Sequence, residues 1–117
     1  ESKRLVKHNG IITDFAVYDN YIIYSTLKGN ISKYLIKGKK EVTLKLENNF
    51  SLNSLKFQKN KLICGTFDGT ILVLNTETMS IDREIKYHDR TILKIYYHNN
   101  QFYSSSIYNT IRKWGLN

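Results

Sequence analysis

The sequence has no proline, one cysteine (Cys64), one tryptophan, and no apolar run near the roughly 18 residues of a membrane-spanning helix. A lone cysteine excludes an internal disulfide framework and a cysteine-based zinc site. Acidic residues are scarce: 10 Asp+Glu against 18 Lys+Arg give a net charge of +8. That favours solubility and attraction to anionic surfaces, but does not by itself mean nucleic acid. The basic residues are scattered, with dense spots at Lys3, Arg4 and Lys7, at Lys37 to Lys40, and at Lys56, Lys59 and Lys61. These read first as solvated surface and second as an anion site. No apolar stretch follows Glu1-Ser2-Lys3-Arg4, so no signal peptide is visible. The chain opens in mid-pattern, as a piece of something longer would. What is present is one ordinary domain's worth of sequence: 117 residues, 41% hydrophobic and 24% charged. Nine Tyr and abundant Ile favour strands, while Asn and six Gly supply turns.

Sliding the chain by 40 residues gives three matching copies without insertion or deletion. Asn20, Asn60 and Asn100 coincide, as do Ile31, Ile71 and Ile111. Ile12, Leu52 and Ile92 share a position, as do Phe15, Leu55 and Ile95. Thr26 and Thr66 fall on Ser106, Tyr34 and Leu74 on Trp114, and His8 on Asn48 and His88. Gly29 and Gly69 fall on Asn109, a mild exchange where a positive φ is needed.

Each copy reads as short strands separated by turns. In the second, Ser54–Phe57 alternates with period two, Lys59-Asn60 turns the chain, and Leu62–Thr66 follows. Asp68-Gly69 is a two-residue hairpin signal with positive φ expected at both positions. Thr70–Leu74 and Ile81–Ile85 complete the unit. The first copy repeats this with Phe15–Val17, Tyr21–Thr26, Ile31–Leu35 and Val42–Leu46, and the third stops at Trp114. The second and third strands are almost continuously apolar or small, which predicts cover on both faces. Ser25, Gly65 and Ser105 put a small residue where neighbouring sheets would crowd. Four-stranded antiparallel units covered on both faces by similar units describe propeller blades.

These residues resemble WD40 repeats. Thr66-Phe67-Asp68-Gly69-Thr70-Ile71 matches the family's central segment, His88 and Trp114 match its two ends, and His8 matches in the first copy. The resemblance implies an all-β, WD40-type propeller segment of about three four-stranded antiparallel blades, expected to be part of a seven-bladed ring. Residues 3–7 would be the fourth strand of a preceding blade, 8–46 and 47–85 two blades, and 86–117 an incomplete blade ending at its third strand. The family's buried set of His, Ser/Thr, Asp and Trp is complete in no copy. The first offers His8, Thr26 and Tyr34 with Lys28 at the Asp position. The second offers Thr66 and Asp68 with Asn48 and Leu74 in place of His and Trp. The third offers His88, Ser106 and Trp114 with Tyr108 in place of Asp. Three blades are fewer than the about four to eight of a closed propeller, so missing blades are expected from upstream sequence or another chain.

Catalytic chemistry finds no support. No nucleophile–base pair, carboxylate pair or glycine-rich phosphate loop is present, and Cys64 reads as an inert core thiol. No enzyme activity, cofactor or metal is expected. In WD40 proteins the turn between the second and third strands and the start of the first strand commonly meet partners. The resemblance therefore points to Ile11, Thr13 and Leu27, to Ser51, Asn53 and Phe67, and to Thr91, Leu93 and Ile107. Leu27, Phe67 and Ile107 are all apolar at one turn position, which suits a binding surface but also fits side chains lying flat on their own blades. Lys28, Arg90 and Lys94 would bias the partner toward acidic or phosphorylated peptides. The expected function is a non-enzymatic scaffold for protein–protein interaction in a multi-subunit complex. The alternatives are an RNA-associated subunit of a ribonucleoprotein, as in ribosome biogenesis, or the substrate-recognition propeller of a ubiquitin ligase. A free cysteine and the lack of a signal peptide suggest a cytoplasmic or nuclear location.

Overall fold

The computed structural model describes residues 2–8, 10–46, 52–58, 61–107 and 109–115. The Lys59-Asn60 turn, Asn48, Ser51 and Tyr108 lie outside them, as does the side chain of Asn53. Eleven strands form among the described residues. They are β1 (Ile12–Tyr18), β2 (Tyr21–Thr26), β3 (Asn30–Leu35), β4 (Glu41–Lys45), β5 (Leu52–Gln58) and β6 (Lys61–Thr66), then β7 (Thr70–Asn75), β8 (Ser80–Lys86), β9 (Ile92–His98), β10 (Gln101–Ser106) and β11 (Ile111–Trp114). The first strands begin at 12, 52 and 92 and the second at 21, 61 and 101, so the 40-residue period of the sequence is the period of the fold. Three antiparallel sheets result, ordered β1-β2-β3-β4, β5-β6-β7-β8 and β11-β10-β9. Residues 2–8 form no strand, and Leu5 and Val6 instead lean over the first sheet.

Two apolar layers join the sheets. Tyr21, Ile23 and Ile31 of the first sheet pack with Leu62, Cys64, Leu72 and Leu74 of the second. Ile63, Ile71 and Val73 leave the other side of the second sheet to meet Ile92, Ile95, Phe102 and Trp114 of the third. Successive residues of β6 and β7 therefore enter different layers, which is why neither strand alternates in polarity. Each wholly buried Leu or Ile contributes about 1.5–3 kcal/mol through removal from water. In the third sheet, with cover on one side, β10 buries alternate residues: Phe102, Ser104 and Ser106.

A bulge recurs at the start of each first strand. Ile12 pairs with Thr26 and Asp14 with Ser25, bypassing Thr13; the same skip bypasses Asn53 in β5 and Leu93 in β9. The extra residue shifts the phase of the pleat. It explains why Ile92 and Ile95, three apart, are both buried in one layer.

The hairpin at Asp68-Gly69 differs from expectation. Gly69 has φ +92°, but Asp68 is not among the residues with positive φ. The Gly69 amide bonds the Thr66 carbonyl at 3.4 Å, making a three-residue loop of Phe67, Asp68 and Gly69. Such a loop needs a left-handed residue at its third position alone. Gly29 (φ +86°) and Asn109 (φ +59°) occupy that position in the other sheets.

Candidate interaction surface and buried polar set

The loop geometry decides what the turns display. Leu27, Phe67 and Ile107 each directly follow the last residue of a second strand, so their side chains sit at the loop tip. They are 38%, 40% and 47% exposed. The Leu27 amide donates to the Ile11 carbonyl at 3.0 Å and the Ile107 amide to the Thr91 carbonyl at 3.3 Å. The start of each first strand is thereby tied to its own turn. Thr91 also reaches the preceding blade, its Oγ1 donating to the Phe67 carbonyl at 2.8 Å. The row is continuous across the second and third sheets, and exposed Ile11 adjoins it in the first. Lys28 and Arg90 are exposed beside these turns. A Cβ on Gly69 would fall 1.9 Å from the His88 carbonyl oxygen and 2.9 Å from that of Arg90, so the turn presses closely on the backbone leading into the third sheet.

Thr13 and Leu93 belong to a different feature. Adjacent first strands run side by side and line an open hollow of about 520 Å³, with Asp14, Leu55, Lys56 and Lys94 among its walls. Thr13 Oγ1 is 2.8 Å from Ser25 Oγ, and the Leu55 amide donates to Asp14 Oδ2 at 2.7 Å across the junction of the first two sheets. The bulges aim Thr13 and Leu93 into this hollow. Lys94, expected at the rim of the turns, instead lines the hollow and the open side of the third sheet.

The buried polar set is rearranged relative to expectation. His88 Nε2 lies 2.7 Å from Ser104 Oγ, and Trp114 Nε1 donates to the same oxygen at 3.0 Å. The shared hydroxyl is therefore Ser104 and not Ser106. Phe102 pairs directly with Trp114, which brings Ser104, the next residue on that face, within reach of the indole. Ser106 is one step further toward the turn, where its amide bonds the Thr110 carbonyl at 3.1 Å. Cross-strand alternation counted from Trp114 could have located Ser104; the 40-residue alignment alone pointed past it. Burial pushes the His88 pKa down, and the Arg112 charge adds to this.

Thr66 and Thr26 do something else. The Thr66 hydroxyl donates to Asp68 Oδ1 at 2.5 Å and accepts from the Thr70 amide at 3.0 Å; that amide also reaches Asp68 Oδ1 at 3.2 Å. Burial tends to raise the Asp68 pKa, but the bonds from Thr66 and Thr70 and the Lys86 charge outweigh it and hold the carboxyl below its usual range. Thr26 Oγ1 likewise accepts from the Asn30 amide at 3.2 Å. These threonines close the turn and do not join a His–Trp set. His8 lies edge-on to Tyr24, ring centroids 6.0 Å apart, and its Nδ1 accepts from the Gly10 amide, so it stands away from Thr26. Tyr34 is half-buried on β3. Cys64 is wholly buried, which pushes its thiol pKa far up and leaves it unreactive. Among the described residues no group of three or more His, Cys, Asp or Glu could hold a metal ion, and no helix is long and apolar enough to cross a membrane.

No family model and no curated protein matches the chain. Solved structures do match. The WD40 repeats of RRP9 superpose with TM-score 0.86 at 15% identity over 96% of this chain, and U3-55K with 0.84 at 17% identity over 96%. The computationally designed Ika8 protein gives 0.81 at 24% identity over 93%. The chain covers 37%, 38% and 34% of these three, about a third of each. Identities this low carry the fold alone, and with the three packed sheets they define it: a segment of a WD40-type β-propeller, three blades in succession.

Proposed function

We propose that the chain is a non-enzymatic interaction scaffold that captures a peptide with apolar anchors and flanking acidic or phosphorylated groups. The observation that carries this reading is the exposed apolar row of Leu27, Phe67 and Ile107, one per blade at the same loop position. Contiguous exposed apolar residues of this kind mark recognition surfaces. Ile11 and Leu93 extend the apolar area, and Lys28 and Arg90 supply positive charge beside it. Opposite charge on the partner would steer encounter and fix orientation, while the apolar anchors would supply most of the affinity.

The combined change Leu27→Ser, Phe67→Ser and Ile107→Ser tests the assignment. These side chains are half-exposed at loop tips, so folding should be retained. Binding of a panel of acidic and phosphorylated peptides with apolar anchors should weaken strongly, while salt should weaken it only modestly. Full binding by the triple variant, together with loss on neutralising Lys37, Lys39 and Lys40 in the turn at the other end of the strands, would sink the assignment. A steep salt dependence in that case would point to nucleic acid.

A further inference from the structure

The stack of sheets ends in two open faces. On the third sheet, Lys94, Tyr96, Tyr103, Ser105 and Ile111 line a shallow hollow of about 150 Å³. Ile111 is 74% exposed, whereas Ile31 and Ile71, at the same repeat position, are fully buried against the following blade. At the opposite end, the first sheet presents Ile12, Phe15, Ile22 and Tyr24, with Phe15 62% exposed. Their repeat equivalents Leu55, Leu62 and Cys64 pack on the first sheet, and Ile92, Ile95 and Phe102 on the second. Leu5 and Val6 lean over this face but leave a hollow of about 160 Å³.

We infer that the open face of the third sheet docks, head to tail, on the open face of the first sheet of a second copy of this chain. The two junctions inside the chain argue for that occupant, since each already joins a face of the Ile71 type to a face of the Phe102 type. Polar contacts across these junctions go partly to backbone and so tolerate sequence change. Lys33 Nζ donates to the Thr76 carbonyl at 3.0 Å. Lys113 holds the position of Lys33 in the third blade, and Ile36 that of Thr76 in the first, so the same bond is available to the docked pair. Residues 2–8 must leave the first sheet for the faces to meet. Two repeats later, Arg83, Ile85 and His88 stand where Lys3, Leu5 and His8 do. Arg83 and Ile85 lie in β8, so the segment has the sequence of a fourth strand, and β11 at the edge of its sheet offers it a place. The contact uses two different faces, so it is heterologous, and growth continues until a ring closes or the ends are blocked.

Sedimentation of the full chain over a wide concentration range tests this. The parent should associate as concentration rises. Ile111→Glu and Phe15→Glu replace strongly exposed side chains, so both should keep the parental circular dichroism, and Tyr96→Glu is a second probe of the third-sheet face. Each should weaken self-association by on the order of 30-fold or more, because a charge is buried at the contact. An equimolar mixture of Ile111→Glu and Phe15→Glu should form dimers and nothing larger. One variant keeps an intact first sheet and the other an intact third sheet. A parent that stays monomeric at all concentrations overturns the inference, as does parental association by Ile111→Glu and Tyr96→Glu, or a mixture that stays monomeric. Loss of association in the Leu27, Phe67 and Ile107 triple variant would place the contact on the turn surface and also overturn it, whereas failure of peptide binding alone bears only on the proposed function.

Discussion

Trp114 concentrates two kinds of stabilisation in one side chain. Its ring stacks between Phe102, 4.7 Å away by centroid, and Tyr87, 5.1 Å away, while its Nε1 donates to Ser104. Trp114→Ala should cost about 3–5 kcal/mol as a large aromatic deletion from a filled site. Denaturant titration measures this, and a loss under about 1 kcal/mol would show that the third sheet does not depend on this packing. His88, which shares the Ser104 hydroxyl, makes stability depend on pH. Its folded pKa lies below the ordinary value of 6.5. Between those two values the unfolded chain binds the extra proton and the folded chain does not. Stability is therefore full above about pH 6.5 and falls as pH drops toward the folded pKa. Melting temperatures followed from pH 7.5 to 5 should decline, after correction for the acidic groups, and His88→Gln should flatten that decline.

At the scale of the element, the three copies of one hairpin loop form a natural comparison. In the second blade, Asp68 collects the Thr66 hydroxyl and the Thr70 amide. In the first, Lys28 stands where Asp68 would be, and Asn30 replaces threonine with a buried Oδ1 that has no hydrogen-bond partner. Lys28→Asp restores an acceptor for Thr26 and the Asn30 amide, and should stabilise by about 0.5–1.5 kcal/mol. Asn30→Thr removes the unpaired oxygen and should add about 1–3 kcal/mol. The two side chains serve one loop, so their effects should not be strictly additive. Urea midpoints of the single and double variants would reveal this, and a marked loss from Lys28→Asp would mean that the first loop closes differently from the second.

For the whole molecule, stability is set by how many sides of a sheet are covered. The second sheet has a neighbour on each face, and all of β7 but its last residue is buried. The outer strands β4 and β8 are largely exposed, and β11 is an edge. Amide hydrogen exchange at low protein concentration should therefore be slowest in β6 and β7, intermediate in β2 and β10, and fastest in β4 and β11. Equal protection in all three sheets would show instead that the open faces are covered in solution.

The sequence by itself determined the period, the strands and the position of every left-handed glycine in the hairpin loops. Those features are local or repeated: alternation and apolar runs fix strands, and the positive φ at Gly29, Gly69 and Asn109 follows from the loop that joins two strands. It also placed Leu27, Phe67 and Ile107 at one point of the loop, though their exposure was an open choice. Tertiary structure decided the rest because it depends on phase between strands. A single bulged residue at Thr13, Asn53 and Leu93 shifts every later side chain of the first strand, and a spacing of three between Ile92 and Ile95 is the faint trace of it in the sequence. The partner of His88 and Trp114 turned on which hydroxyl of β10 lies diagonally across from the indole, a matter of cross-strand register, and it is Ser104. Which faces remain open is likewise a property of the packed stack. Ile111 carries the same residue as Ile31 and Ile71, yet it is exposed because no blade follows the third sheet in this structure.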